Sequence, residues 1–355
     1  MKRKEYRNMK KKTSKKRLAI KIGLSVSFAT LLLVSAYALS LHQKAEKAVD
    51  RAYEPVPSTQ KSDLRGEAKV EPAKDNVSVL LIGVDDSEAR MQGEGNSRSD
   101  ALLVATFNPE EKSVKLLSIP RDSYVYIPKV GYKDKITHAH AYGGTHASIE
   151  AVEEMLDIPV DYYVKMNFNA FIEVVDALGG IEVEVPYDRL EKDENDKNAI
   201  QLKKGLHVLD GRHALALART RKLDSDIERG KRQQMILQSI IKEMVSVKSI
   251  SKYGDVIDAV GDNMKTDMTF KEMTSFWEYA KDGMPQIDTI NLQGYDDWST
   301  GVYYYKLKDS DLENVSQLLQ SHLGLIPDSS SLTDSNSNGL HSADETADGS
   351  DDFSD

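Results

Sequence analysis

Cysteine is absent from this chain of 355 residues, so no disulfide contributes to its fold. That absence is compatible with a location outside the cell in an organism that does not rely on disulfides. The sequence also contains neither GxxxxGKS/T nor GxGxxG, the glycine-rich loops that hold nucleotide phosphates. No GxSxG nucleophile elbow or Ser–Lys signature stands out either. Cytosolic nucleotide chemistry therefore has no support.

Charge is missing from one long segment near the N-terminus. Residues 22–41 are twenty residues without a charged side chain, which as a helix span about 30 Å, the thickness of the bilayer hydrocarbon. Residues 1–21 carry eleven Lys or Arg and one Glu, which predicts that this flank lies in the cytoplasm and the rest of the chain outside. Ala36-Tyr37-Ala38 leaves a cleaved signal peptide as the alternative, but the apolar run is longer than such peptides use. We predict an uncleaved anchor.

Two segments have the composition of connections rather than of a core. Residues 42–76 are polar and punctuated by three prolines, which predicts a stalk, helical at its start, with a reach of about 30 Å if flexible. Residues 328–355 hold eight acidic residues and no Lys or Arg, which predicts a disordered tail. The extracellular domain is therefore expected at 77–327.

Strand and helix patterns alternate within this domain. Apolar runs of strand length occupy 77–84, 101–107 and 113–119, and alternating patterns occupy 161–168 and 181–186. Helical spacing is seen at 148–156, 169–178 and 234–247, with further helices expected around 254–264 and 269–281. This order predicts an α/β fold with a mainly parallel or mixed central sheet covered on both faces.

Acidic side chains lie at the boundaries of three predicted strands. Asp85-Asp86 follows the first strand, Asn96-Ser97-Arg98-Ser99-Asp100 precedes the second, and Pro120-Arg121-Asp122 follows the third. Paired carboxylates with substrate phosphates suit Mg²⁺, and arginine binds the same phosphate oxygens bidentately. Each pair alone is better explained as a local salt bridge, but the three together favour a site. The adjacency of Asp86 to Asp85 leaves the metal ligand uncertain by one residue.

A dense basic cluster occurs at 215–234 in a chain whose formal net charge is −10. Asp210 is a predicted N-cap for a helix through Ala218, and Ser225-x-x-Glu228 matches a capping box that starts a longer helix. This segment contains Arg219, Arg221, Asp226, Arg229, Lys231, Arg232 and Gln233, and Arg212 lies just upstream of it. Asp226, Arg229 and Gln233 share one face of the second helix, with Arg232 beside them. A solvated acid–base face is the alternative, but arginines directly before a helix start favour a phosphate site.

Six motifs in order resemble the LytR–CpsA–Psr family, in its teichoic-acid branch, over residues 77–245. They are LLIGVD, RSDALL, SIPRDSYV, KITHAHAYGG, VDALGGIEVEVP and LDGRHALALARTRKLDSDIERGKRQ. The resemblance implies an α/β/α sandwich with an apolar groove for a polyprenyl tail. It also implies a membrane phosphotransferase that moves wall teichoic acid, or a similar anionic glycopolymer, from undecaprenyl pyrophosphate to the N-acetylmuramic acid 6-hydroxyl of peptidoglycan. A nucleic-acid partner is not expected.

The same resemblance implies roles for individual residues. Mg²⁺ (or Mn²⁺) would be held by Asp85 and Asp100. The pyrophosphate would be bound by Arg98, Arg121, Lys135, Arg219, Arg221 and Gln233. Catalytic roles would fall to Arg98, Arg121, Asp226 and Arg229. A sugar hydroxyl still needs a base, for which Asp226 and Asp122 are both candidates.

Several alternatives stay open on the sequence. A polyprenyl-pyrophosphate hydrolase could use the same site with water, and a non-catalytic cell-envelope regulator could bind polymer or lipid without turnover. Three histidines could form a transition-metal site, although polar pocket roles are more common for this spacing: His138, His140 and His146. Tyr303-Tyr304-Tyr305 and Trp277 could bind sugar, although packing at the core or domain edge is the more common role of such residues.

Overall fold

The computed structural model describes residues 3–56, 63–65, 70–85, 97–193, 197–220, 225–246, 253–280 and 284–327. Three predicted features lie outside these ranges, namely Asp86, Arg221 and the acidic tail at 328–355.

The helices are α1 (Arg3–Ala52), α2 (Ile136–Leu156), α3 (Phe168–Ala177), α4 (Gly211–Arg219), α5 (Asp226–Met244), α6 (Tyr253–Asn263), α7 (Phe270–Ser275), α8 (Trp277–Ala280) and α9 (Asp309–His322). The strands are β1 (Val77–Val84), β2 (Ser99–Asn108), β3 (Ser113–Ser118), β4 (Tyr124–Ile127), β5 (Tyr132–Lys135), β6 (Tyr162–Asn167), β7 (Ile181–Val185), β8 (Arg189–Lys192), β9 (Asn198–Leu202), β10 (Gly205–Leu209), β11 (Met264–Thr266), β12 (Gln286–Asn291), β13 (Gly294–Asp297) and β14 (Tyr304–Leu307).

Six strands form the central sheet, in the order β11-β6-β1-β2-β3-β12. β1, β2 and β3 are antiparallel neighbours, whereas β6 is parallel to β1 and β12 is parallel to β3. The sheet is therefore mixed, and the predicted α/β fold is confirmed. The predicted strand at 181–186 is also present, but as β7 it pairs with β10 in a separate two-stranded sheet.

Helices cover both faces of the central sheet, which makes the domain an α/β/α sandwich. Alternate residues of β1 face opposite ways: Leu80 and Ile82 pack into the cluster formed with α2 and α9, whereas Val79 packs with residues near α7. On the second face α5 contributes Leu237 to the cluster over β2 and β3. Burial on both faces explains why β1 is a continuous apolar run rather than an alternating one.

Helix α2 begins earlier than the sequence predicted. It starts at Ile136 rather than near 148, and it is kinked at Gly143 (φ −161°, ψ 24°) and Gly144 (φ 66°, ψ −152°). Two adjacent glycines interrupt the helical pattern, because glycine disfavours helix interiors and adopts positive φ readily. The sequence pattern therefore indicated only the second half of the helix.

The N-terminal helix is longer than the predicted anchor and continues through the first part of the predicted stalk. α1 has fifty residues, about 75 Å of helix, and its apolar part is exposed along its length. Among the residues that the structure describes, α1 alone is long and apolar enough to cross a membrane. At its C-terminal end Ala48, Val49 and Ala52 are buried, and Lys44 pairs with Asp258 of α6 at 2.6 Å.

The junction after α1 is also fixed to the domain. Glu54 N–H donates to the Thr266 carbonyl at 2.7 Å, and Tyr163 Oη donates to the Glu54 carbonyl at 2.6 Å. The described start of the predicted stalk is thus helical, as expected, and it packs on the domain at Ala48, Val49 and Ala52. The spacing of Ala48, Val49 and Ala52 gives α1 a narrow face that accommodates α6 closely.

Candidate functional site

Three strand ends meet at one edge of the central sheet. Because β1, β2 and β3 are antiparallel in turn, the end of β1, the start of β2 and the end of β3 lie together. Gly83 pairs with Ala101 and Val84 pairs with Ser99, so Asp100 is the extra residue of a β-bulge. Bulges re-aim side chains and interrupt the ladder. Asp100 and Asp85, which follows Val84, are thereby brought to the same edge, as the sequence predicted for these acids.

Two arginines converge on Asp100. The Arg121 guanidinium, at the end of β3, pairs with the Asp100 carboxylate through Nη1 and Oδ1. The Arg229 guanidinium, from the first turn of α5, donates through Nη2 to the main-chain carbonyl of Asp100. Arg229 is 4% exposed, and the side chains of Arg121 and Asp100 are 11% and 14% exposed. Charged hydrogen bonds in such a sheltered place are stronger than in water.

Asp226 connects these two arginines. Its Oδ2 accepts from the Arg121 main-chain N–H at 3.1 Å, and its Oδ1 lies 3.3 Å from Arg229 Nη1. The Ser225 side chain caps α5 by accepting from Glu228 N–H at 3.4 Å, so the predicted helix start is confirmed. The reciprocal half of the capping box is replaced, since the Glu228 carboxylate pairs with Lys231 at 2.6 Å.

Close packing of α5 on the sheet places Asp226 and Arg229. A Cβ at Gly230 would lie 2.4 Å from Ser118 Oγ, so only glycine allows the helix to approach β3 at this distance. Gln234, one turn later, donates from Nε2 to the carbonyls of Leu116 and Ile290, each at 2.8 Å. These hydrogen bonds fix α5 across β3 and β12, with its N-terminus over the charged strand edge.

Lys135 and Asp122 extend the network beyond the sheet. Lys135 Nζ lies 2.9 Å from Asp122 Oδ1, and Arg121 Nε lies 3.8 Å from Asp122 Oδ2. Lys135 Nζ is also 5.6 Å from the ring centre of Tyr303. Burial raises the pKa of Tyr303, as do its hydrogen bond to Asp296 and the negative charges of Asp226 and Asp122. The Tyr303 phenol therefore stays protonated beside this group.

Arg219 lies at the same sheet edge but in a separate group of contacts. It is the last residue of α4, which Asp210 caps as predicted, so the helix extends one residue beyond the predicted end at Ala218. Its guanidinium lies 4.6 Å from the ring centre of Phe168 and donates to the Asp193 carbonyl at 3.0 Å. Phe168 follows Asn167, which pairs with Val84 of β1.

Gln233 and Arg232 tie α5 to the end of α4. Gln233 Nε2 donates to the Ala218 carbonyl at 3.4 Å, and buried Arg232 donates to the Thr220 carbonyl at 2.8 Å. Both side chains thus hold the chain that carries Arg219. Arg232 also lies with its guanidinium 5.7 Å from the Tyr187 ring centre. The predicted shared face of α5 is present, although Arg232 points into the protein.

The donor set at the strand edge fits a hard divalent cation. Asp85 is 2% exposed, and Asp100 lies one bulge away on the neighbouring strand. In the described part of the chain no three His, Asp or Glu residues group as a metal site. Two carboxylates are a set that a Mg²⁺ ion would complete with phosphate oxygens and water.

Arg98 is held in place by residues whose role the sequence did not indicate. Arg98 is exposed, whereas its neighbours Ser97 and Ser99 are buried. His140 Nδ1 lies 2.7 Å from the Ser97 carbonyl, and Thr137 Oγ1 donates to the Ser99 carbonyl at 2.6 Å. These contacts from α2 fix the strand that precedes Asp100. The pattern KITHAHAYGG carried these residues, but only the fold relates them to Arg98.

The three histidines of α2 have separate partners and do not form a metal site among the described residues. His138 Nδ1 lies 2.8 Å from Asp134, and His146 Nε2 lies 3.2 Å from Glu150. Burial alone would raise the pKa of Asp134, but hydrogen bonds from Tyr142, His138 and the Lys135 N–H outweigh it and lower the pKa. The polar-role interpretation of these histidines is therefore the better one.

The α/β/α domain thus follows a helix that is long and apolar enough to cross a membrane, and it gathers arginines and carboxylates at one edge of its sheet. The chain belongs to the LytR_cpsA_psr family, whose model matches residues 37–321. It is 41% identical over 335 residues to the polyisoprenyl-teichoic acid–peptidoglycan teichoic acid transferase TagT of Bacillus subtilis (strain 168), covering 92% of this chain and 100% of that protein. It is 36% identical over 321 residues to TagV of the same organism, covering 88% and 81%.

Solved structures show the same fold. TagT bound to LI-WTA has a TM-score of 0.66 at 41% identity, covering 77% of this chain and 100% of that chain. The family protein YwtF (TagT) with bound octaprenyl pyrophosphate lipid has a TM-score of 0.62 at 39% identity, with 77% and 100% covered.

Proposed function

We propose that this protein is a membrane-anchored transferase that attaches wall teichoic acid, or a similar anionic glycopolymer, to peptidoglycan. The donor is the polymer on a polyprenyl-pyrophosphate carrier, and the acceptor is the 6-hydroxyl of N-acetylmuramic acid. The observation that carries the proposal is the branched network of Arg121, Asp100, Arg229 and Asp226 at one sheet edge. Relatives that are named as teichoic acid transferases match most of the chain, which supports the proposal.

The reaction is a phosphoryl transfer in which positioning and charge neutralisation supply most of the rate. The acceptor hydroxyl oxygen attacks the phosphorus that carries the polymer, and a new P–O bond forms. The P–O bond towards the lipid phosphate breaks, and polyprenyl monophosphate leaves with the electron pair. Arg98, Arg121, Arg219 and Arg221 would neutralise the negative charge on the diphosphate, with Lys135 and Gln233 assisting, as the family resemblance implies.

The hydroxyl proton needs an acceptor, and the contacts favour Asp122 over Asp226. Both carboxylate oxygens of Asp226 face arginine donors, from the Arg121 N–H and the Arg229 guanidinium. Asp226 therefore orients the two arginines. Asp122 has one oxygen at 2.9 Å from Lys135, and its other oxygen is 3.8 Å from Arg121, beyond hydrogen-bond distance.

Asp85 and Asp100 would hold Mg²⁺ (or Mn²⁺), which would neutralise charge on the diphosphate oxygens. Removal of the ion by EDTA should lower transfer, and Mg²⁺ should restore it. Asp85→Asn should also weaken Mn²⁺ binding, measured by electron paramagnetic resonance with no substrate present. Unchanged Mn²⁺ binding in Asp85→Asn would remove this residue from the metal site.

The N-terminal helix is proposed to place its basic start in the cytoplasm and the domain outside, since eleven basic residues precede the uncharged segment 22–41. The absence of cysteine allows a direct test. Ser350→Cys should react with a membrane-impermeant thiol reagent in intact cells, whereas Ser14→Cys should react only after lysis. The reverse pattern would contradict this orientation.

The test of the function uses the full-length protein in lipid vesicles with lipid-linked polymer, polymer-free peptidoglycan oligomers and Mg²⁺. The expected product is a covalent polymer–glycan conjugate, identified by mass spectrometry. Free polymer phosphate without conjugate would instead identify a hydrolase. Tight lipid binding with neither product would identify a non-catalytic binding protein.

A further inference from the structure

Two short hairpins form a continuous surface next to the candidate site. β5 pairs with β4, and β14 pairs with β13, each antiparallel. The hairpins are joined because Ser123, which directly precedes β4, bridges Tyr305 of β14 in parallel, with a hydrogen bond from Tyr305 N–H to the Asp122 carbonyl at 2.9 Å. The local strand order is therefore β5-β4-β14-β13. Ser123, which joins the two hairpins, directly follows Arg121 and Asp122 in the chain.

Strand alternation brings tyrosines and lysines to the outer side of this surface. Tyr124 pairs with Lys135, Tyr126 with Lys133, and Tyr295 with Lys306, so the members of each pair point the same way. The rings of Tyr124 and Tyr304 are 4.6 Å apart across the junction of the hairpins. We call this the tyrosine–lysine face, defined by Tyr124, Tyr126, Lys133, Tyr295, Tyr304 and Lys306.

The tyrosine–lysine face borders a cavity of about 780 Å³. Tyr124, Tyr126, Lys133, Tyr295 and Lys306 all line it. Tyr126 is 40% exposed and Tyr295 is 56% exposed, although tyrosine rings that serve packing alone are mostly covered. A concave site of this size, lined by aromatic rings and by polar groups, is typical of a ligand-binding site.

One end of the face lies at the proposed site of transfer. Lys135 contacts Asp122 at 2.9 Å and lies 5.8 Å from the ring centre of Tyr304. At the tip of the β13–β14 hairpin, Trp298 is 64% exposed and its ring is 5.0 Å from that of Tyr303. A ligand on the face would therefore reach Asp122 and Arg121 without crossing the sheet.

The charge of the face distinguishes between the two substrates. A surface for a polyphosphate polymer requires cations that are available to phosphate oxygens. On the face itself Lys306 is 2.7 Å from Asp297, so its charge is already matched, and the acids Glu154 and Asp309 also line the cavity. What the face offers instead is tyrosine rings, which stack on the apolar faces of sugar rings while their hydroxyls meet the polar edges.

We propose that the tyrosine–lysine face binds the acceptor, a glycan strand of N-acetylated hexosamines, and delivers a ring of that strand to Asp122. This inference rests on the proposed transferase function and specifies where its second substrate lies. The lipid-linked donor occupies the arginines at the sheet edge, and the acceptor approaches from the hairpin side.

The test uses the full-length protein in detergent micelles, with lipid-linked polymer as donor and glycan oligomers from polymer-free peptidoglycan as acceptor. Tyr126→Ala and Tyr295→Ala should each raise KM for the acceptor about tenfold, because each removes one stacking ring. The KM for the donor and kcat at saturating acceptor should change less than about twofold. Tyr126→Phe, which keeps the ring, should stay near wild type.

Tyr132→Ala provides the matched control, since Tyr132 is 51% exposed on the same β4–β5 hairpin but lies with Tyr142 on the other side. It should leave both KM values unchanged. An unchanged acceptor KM in Tyr126→Ala and Tyr295→Ala would overturn the inference, and so would a rise in donor KM alone.

A binding experiment separates this inference from the proposed function. Fluorescent glycan oligomers are titrated into wild type and the same variants without donor, and anisotropy is read. About tenfold weaker binding in Tyr126→Ala supports the face even if no conjugate forms with wild type, an outcome that would sink only the transferase proposal. Equal binding in all variants would overturn the face while leaving transfer intact.

Discussion

Two arginine–aspartate pairs lie at opposite ends of the central sheet, and their surroundings differ. At the far end, Asp161 accepts from Arg65 Nε at 2.9 Å, Arg65 Nη2 at 3.0 Å, and Ser78 N–H and Oγ at 2.8 and 3.2 Å. At the site end, the Asp100 carboxylate pairs with Arg121, while Arg229 donates a hydrogen bond to the main-chain carbonyl of Asp100.

The difference concerns what the charges are used for. Around Asp161 the donors from Arg65 and Ser78 all converge on one acid, so the pair joins β1 to the chain before β6. Around Asp100 two guanidinium groups are shared among the acids Asp100, Asp122 and Asp226. We propose that a phosphate exchanges with these partners, so that the same residue types stabilise the fold at one end and bind an anion at the other.

The largest expected effect is the loss of transfer in Arg121→Ala. Without this guanidinium the transferred phosphoryl group loses charge stabilisation, so the rate should fall on the order of 10³-fold, equivalent to about 4 kcal/mol. Conjugate formation in vesicles measures the loss, and circular dichroism checks that the fold is intact. Arg65→Ala is the control and should keep wild-type transfer per folded molecule. Equal rates in Arg121→Ala and wild type would remove Arg121 from the site.

The second expected effect is on stability at the far end. Asp161→Ala leaves Arg65 and the Ser78 N–H without their buried partner, so the free energy of unfolding should fall by about 3 kcal/mol. Chemical denaturation in detergent measures it. Transfer below the unfolding transition should be unaffected. A variant that unfolds like wild type but transfers poorly would contradict the distinction between the two ends.

A pH effect of intermediate size is expected from His322, also at the far end. Its Nδ1 is 2.7 Å from Thr106 Oγ1 and its Nε2 is 2.8 Å from Ser113 Oγ. Burial lowers the pKa of His322 to about 4, with the charge of Lys115 acting in the same direction. The unfolded chain, with the ordinary pKa of about 6.5, takes up a proton first as the pH falls.

The contribution of His322 to stability is therefore complete above pH 6.5 and is lost as the pH falls towards 4. From pH 7.5 to 5 this residue should account for about 2 kcal/mol of lost unfolding free energy. Denaturation of wild type and His322→Gln at pH 7.5 and at pH 5 isolates the contribution of His322 to the unfolding free energy, because all other groups titrate in both proteins. The same loss in the two proteins would show that His322 does not titrate as inferred.

The smallest expected effect tests how closely α5 must approach the sheet. Gly230→Ala places a methyl group against Ser118 Oγ, so stability should fall by about 1 to 2 kcal/mol. Transfer should fall as well, because Asp226 and Arg229 move with the helix. Gly254→Ala in α6 is the control, since its nearest neighbour would be at 3.6 Å, and it should be tolerated. Wild-type transfer in Gly230→Ala would show that the position of α5 is not critical.

Local patterns predicted much of this molecule from the sequence. The continuous apolar runs predicted β1 and β2, and Ser225 predicted the start of α5, because these signals depend on neighbours in the chain. The acids and arginines at the strand boundaries were also visible, because they directly precede or follow the apolar runs in the sequence.

Features that depend on distant pairing could not be predicted. The bulge that displaces Asp100 depends on the register of β1 against β2, and the tyrosine–lysine face depends on Ser123 meeting Tyr305. The packing of Ala48 on α6 likewise joins distant segments, so a polar composition suggested a stalk. β5 and β13, with the sequences YKDK and GYDD, are too short and polar to show a strand pattern.

The most direct test of the central claim measures binding of polymer-free undecaprenyl pyrophosphate to the full-length protein by titration calorimetry. Arg121→Ala and Arg219→Ala should each weaken binding by at least about tenfold, because each removes a charged contact to the diphosphate. Arg65→Ala should bind like wild type. Equal affinity in all four proteins would contradict the assignment of the anion site to this edge of the sheet.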